Sequence, residues 1–154
     1  MVGALKAPSD WKQSGTIYLW RYIENQRNYP GWHLALDSPA QRSIDLLVQA
    51  LLSHGGSPLR TLLITPPTHR VLKIPNNRGG AATWQSPLKL RLGLDATNPD
   101  AWRFDEDKDV VVWTFGARTG VEVAALFGNP SAYFDQSIGS NPVVWSWGLI
   151  DAAA

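Results

Sequence analysis

The acidic run DEDKD at residues 105–109 is the sharpest concentration of reactive side chains in the chain. Asp105, Asp107 and Asp109 alternate, as the first ligands of a calcium loop do. Such a loop also needs glycine at its sixth position and glutamate at its twelfth. Val110 and Gly116 stand there instead. No metal is expected, and the run reads as a hairpin tip whose like charges are solvated and discourage edge pairing. The histidines offer little more. His33 and Asp37 share a face of an extended segment but lie about 13 Å apart along it, too far for a base and its orienting carboxylate. His54 closes a helix, where a cationic ring suits the dipole. His69 has no acidic neighbour in sequence. HGGS at 54–57 lacks the G-x-S-x-G elbow that would make it part of an esterase. NNRGG at 76–80 carries Arg78 and two glycines, but no phosphate-loop pattern surrounds them. With no cysteine in the chain, thiol nucleophiles, disulfides and thiolate-bound zinc are removed together. No catalytic residue and no cofactor are assigned, and the balance leans away from an enzyme.

What the chain has in excess is tryptophan, eight in 154 residues. Trp145 and Trp147 lie two apart in PVVWSWGLI (142–150), which would place them about 6.6 Å apart on one face of a strand. Flanked on that face by Val143 and Leu149, they read as core, as do Trp20, Trp32 and Trp113 inside other strand patterns. Trp11, Trp84 and Trp102 fall near element edges and are the ones placed to meet a partner.

The elements that must position these residues follow from periodicity. GTIYLWRY (15–22) and WHLALD (32–37) read as strands, the first apolar on both faces and hence covered on both. SPAQRSIDLLVQALLSHGG (38–56) carries a helix over 39–53. Ser38 and Gln41 would form a capping box, Ile44, Leu47, Val48 and Leu51 the buried stripe, and Gly55 the exit. LRTLLIT (59–65) and HRVLKIP (69–75) read as consecutive strands around a proline turn. NNRGGAAT (76–83) reads as a mobile loop. LKLRLGLD (88–95) turns Leu88, Leu90, Leu92 and Leu94 inward and Lys89, Arg91 and Asp95 outward, the mark of an antiparallel sheet with one wet face. Residues 101–116 read as two strands around the acidic tip. TGVEVAALFGNP (119–130) reads as a short helix over 120–127, with Thr119 and Glu122 as its capping box. The expected fold is α+β: one domain over 1–154, with a single twisted, mainly antiparallel sheet of about seven or eight strands and the 39–53 helix on one face.

Charge completes the reading. Residues 1–92 hold eleven lysines and arginines against four acids, and residues 93–154 hold three against nine. No run approaches the roughly 18 apolar residues that span a bilayer, so no membrane role is expected and a cytoplasmic location fits. Arg70, Lys73, Lys89 and Arg91 would give a basic sheet face if their strands were neighbours, but no nucleic-acid signature accompanies them and none is expected to bind. The function expected is a non-catalytic module that binds another protein or itself. Arg78, Trp84, Trp102, Asp105 and Asp107 are its contact candidates, since aromatic residues and arginine anchor interfaces. The alternative is a carbohydrate-active or carbohydrate-binding protein, which needs paired carboxylates in a tryptophan-lined cleft.

Overall fold

A computed structural model describes residues 8–27, 29–54, 59–128 and 136–150. The protein is α+β, but its strands form two mixed sheets rather than one antiparallel sheet. Strands β1 (Ile17–Tyr22), β2 (Trp32–Leu36), β4 (Trp84–Gln85), β8 (Gln136–Ile138) and β9 (Val144–Leu149) make the first, in the order β4-β1-β2-β9-β8. Strands β3 (Leu59–Leu63), β5 (Lys89–Leu94), β6 (Trp102–Asp107) and β7 (Val110–Phe115) make the second, in the order β3-β5-β7-β6. Each contains one parallel pair, β2 with β9 and β5 with β7. The cause is helix α1 (Ser38–His54), which carries the chain away from β2 so that β3 begins a second layer.

Both sheets turn one apolar face to a common core. Ile17, Leu19, Leu34 and Val144 come from the first, and Leu90, Leu92, Val111 and Trp113 from the second. Helix α1 inserts Ile44, Leu47, Val48 and Leu51, and helix α3 (Thr119–Gly128) adds Val123, Leu126 and Phe127. Each of these large side chains contributes about 1.5–3 kcal/mol by leaving water. Alternation held for Leu90, Leu92 and Leu94, all buried, but Leu88 lies just before the strand and is exposed.

The caps differ from the expected boxes. Helix α1 is capped by Asp37, whose carboxylate accepts the Ala40 N–H at 2.9 Å and the Thr16 N–H at 3.0 Å. Gln41 instead donates to the Phe127 carbonyl at the far end of α3, tying the two helices together. The Thr119 hydroxyl turns back to the Gly116 N–H and the Ala101 carbonyl. Gly55 lies outside the described residues.

The segment expected as a strand at 69–75 is a short helix, α2 (His69–Leu72), begun by the Thr68 hydroxyl accepting from the Val71 N–H at 3.3 Å. Strand β3 therefore makes no hairpin with it and pairs with β5. Arg70 and Lys73 leave the sheet with it, so the four-residue basic face does not form. Val71 and Leu72 pack with Trp20, Tyr22 and Ala35 on the outer face of the first sheet, a second apolar cluster. Within 76–83, Asn77–Gly80 form a 3-10 turn, and Asn77 is buried and accepts from the Asn25 amide at 3.0 Å. Among the described residues, no helix is long and apolar enough to cross a membrane.

Candidate functional site

Strand β1 sends Ile17 and Leu19 into the common core, and Arg21 is the next position on that face. There the apolar surface runs out, so the guanidinium lies at the mouth between the two sheets. It donates to Glu106 on β6 at 2.6 Å and to the Gln85 carbonyl oxygen on β4 at 3.1 and 3.3 Å. Its central carbon stands 5.3 Å over the Trp32 ring on β2. One cation on β1 thus touches three other strands, from both sheets. The ion pair is open to water on both sides, with 38% and 42% of the side chains exposed. Such pairs contribute about 0–1 kcal/mol, so this one organises the mouth more than it holds the fold.

The mouth is a cleft of about 470 Å³ lined by Arg21, Trp32, Trp84, Gln85, Glu106 and Asp109, among others. A second hollow of about 350 Å³ shares Arg21, Trp32 and Gln85 and continues past Tyr22 and Gln26 to Pro142. Together they form a groove with amide groups and both signs of charge, and the Trp32 ring beneath Arg21 is only 4% exposed. It can accept or donate hydrogen bonds.

Of the residues expected at contacts, only Trp84 borders this groove, and its side chain turns to the outer face of the sheet beside Tyr22, packed on the second apolar cluster. Trp102 lies half-buried beneath the β6 edge, donating from Nε1 to the Pro142 carbonyl at 2.8 Å and packing edge-on against Trp113. Gly139 has no room for a side chain beside it, since a Cβ there would meet the Trp102 ring at 2.1 Å. Asp105 and Asp107 leave β6 on the opposite face from Glu106 and are exposed. Arg78 lies in a turn away from the groove, donating to Glu24 at 2.8 Å. The Thr83 N–H, with Arg78 adding to it, holds the Glu24 carboxyl below the usual range. The residues that sequence reasoning missed are Arg21, Gln85 and Glu106. The available signal was Arg21 itself, a lone cation in register with Ile17 and Leu19 on an otherwise apolar face.

The two tryptophans on β9 share one side, as expected, but that side is the outer face and not the main core where they were expected. Val144 and Ser146 are buried on the inner side, and Trp145 and Trp147 stand half-buried on the outer side. There they extend a row of stacked rings across three strands. Trp20 stacks on His33 at 5.4 Å, His33 on Trp147 at 5.9 Å, and Trp147 on Trp145 at 6.0 Å. His33 has no exposed surface, and its Nδ1 accepts from the Trp147 indole N–H at 2.8 Å. Burial pushes this histidine down to about 4, partly opposed by the Tyr29 carbonyl near Nε2. It is a neutral, enclosed ring rather than a base facing substrate. Among the described residues, no three histidine, aspartate or glutamate side chains gather to hold a metal ion.

Fold and groove together define an α+β protein of two mixed sheets around one core, with a wet, mixed-charge mouth. Compared with protein-family models, with curated proteins and with solved structures, the chain matches none.

Proposed function

We propose that the chain is a non-catalytic binding module that docks another protein at the mouth between its sheets. The observation that carries this reading is the convergence of Arg21, Gln85 and Glu106 from separate strands onto one open groove. Arginine is among the side chains on which interfaces most depend. The groove is flanked by β4, a two-residue strand that pairs with β1 on one side and ends its sheet on the other. Such an edge accepts an extended segment of a partner, whose backbone would bond to the strand while its side chains enter the hollows. The test is a quantitative cross-linking capture with wild type, an Arg21→Ala/Gln85→Ala variant and Arg78→Ala. Partners lost only in the double variant support the reading; identical capture by all three overturns it.

A second reading is favoured by one specific observation. Glu106 and Asp109 line the same cleft, and paired carboxylates are what a sugar-acting or sugar-binding site requires. Titration of tryptophan fluorescence against a glycan panel separates the two. A saturable change abolished by Glu106→Gln, with no protein captured, gives the groove to a sugar.

A further inference from the structure

The outer face of the second sheet carries an arrangement that the groove does not use. Across β5, β7 and β6 the register places Lys89 beside Val110 and Val110 beside Asp107. One step along, Arg91 lies beside Val112 and Val112 beside Asp105. These side chains all leave the sheet on the side away from the core, since Leu90, Val111 and Phe104 occupy the other. The result is a basic strip on β5, a valine strip on β7 and an acidic strip on β6. Lys89, Arg91, Asp105 and Asp107 are exposed, and the two valines are only half-buried. Two bases of the basic N-terminal stretch and two acids of the acidic C-terminal one thus face solvent on one side of the sheet.

The strips do not neutralise one another within the chain. Strands β5 and β6 are two positions apart, about 10 Å, and no ion pair joins Lys89 or Arg91 to Asp105 or Asp107 among the described residues. Asp105 instead meets Arg103 on its own strand at 3.5 Å. Such a pattern is self-complementary. Turning a second copy by 180° about an axis along β7 lays valine on valine and brings each basic strip over the other copy's acidic strip. Lys89 then faces Asp107 of the second copy, and Arg91 faces Asp105. This is the isologous geometry of a two-fold dimer, and two sheets facing each other pack with strands close to aligned. Other axes fail: one placed between β5 and β7 would set Leu63 of β3 against Asp107.

We propose that this face is a contact between two copies of the chain, related by a two-fold axis along β7. The proposal is independent of the groove, which opens on the other side of β6 and shares none of these residues. Its strength follows from its size. Three strands of six residues give a patch of about 15 by 20 Å, or about 300 Å² per copy in projection. That is well under the ~800 Å² per partner of a standard interface, so the dimer is transient and forms at high protein concentration.

The experiment is sedimentation velocity on the full chain at low salt, from about 10 µM to 1 mM. The wild type is expected to rise from 17.0 kDa toward twice that mass, and to fall back as salt screens the strips. Lys89→Glu/Arg91→Glu makes both outer strips acidic, and Asp105→Lys/Asp107→Lys makes both basic. Each variant alone should lose self-association by at least about tenfold, and an equimolar mixture should form a heterodimer tighter than the wild-type dimer. Far-UV circular dichroism and an unchanged melting temperature show that each variant is folded; the Arg103→Gln/Asp105→Lys/Asp107→Lys version serves if Arg103 repels the new lysines. A wild type that stays monomeric to 1 mM, with a mixture that also fails to associate, overturns the proposal and leaves the face to solvent or a different partner. So does self-association of the swapped variants at wild-type strength, which would place the contact elsewhere.

Discussion

Lowering the pH should weaken this fold through one residue, His33. The ring lies between Trp20 and Trp147 with no exposed surface. Desolvation is the main reason its folded value falls to about 4, against about 6.5 in an unfolded chain. The hydrogen bond from Trp147 works in the same direction: a protonated Nδ1 would present a donor to the indole donor at 2.8 Å. Because the folded value is depressed, the unfolded chain takes up the proton first. Stability is therefore complete above pH ~6.5, falls as pH drops through that value, and stops falling through this group near pH 4. The span corresponds to about 3 kcal/mol in total, of which about 2 kcal/mol is lost by pH 5. For a chain of 154 residues that is a drop of about 4–8 °C in melting temperature. Scanning calorimetry at pH 7.5, 6 and 5 on wild type and His33→Phe measures it. The variant keeps an aromatic ring in the stack and should be less stable at pH 7.5, since Trp147 loses its acceptor, but its profile should be flatter by the stated amount. Parallel wild-type and variant profiles, or an NMR titration showing the wild-type ring already half-protonated at pH 6, would refute the reasoning.

Two other expectations follow from packing. Gly139→Ala should destabilise the protein by about 1–3 kcal/mol, because the backbone there is left-handed (φ +74°) and the new methyl would meet the Trp102 ring; denaturant unfolding with unchanged slope is the check, and a neutral variant would mean that the ring moves freely. Acrylamide quenching should separate the tryptophans into two populations, since Trp11, Trp20, Trp32 and Trp113 are at most 4% exposed whereas Trp84, Trp102, Trp145 and Trp147 are half-buried. Phenylalanine at 84 and 145 should shrink the accessible fraction, and uniform quenching of all eight would contradict the burial pattern.

The sequence by itself determined the elements whose signal is local. The stripe Ile44–Leu47–Val48–Leu51 specifies a helix because four apolar positions recur at helical spacing, and 88–95 specifies a strand with one wet face because its leucines alternate. Absence of cysteine and the uneven charge of the two parts of the chain were likewise legible without a fold. Tertiary structure decided the neighbours. A strand's pattern states which face is buried, not which strand lies beside it, so 59–63 could pair with 69–75 or with 89–94 on equal local grounds. The winner was set by Thr68, which starts a helical turn that buries Val71 and Leu72 on the far face of the other sheet. The same reason hid the groove: Arg21, Gln85 and Glu106 are 64 and 85 residues apart from the first to the others, and only the closing of two sheets round one core brings them together. It also settled the tryptophans of β9, whose alternation fixed a common side but whose inward partner turned out to be Val144, so the indoles stack outward on His33.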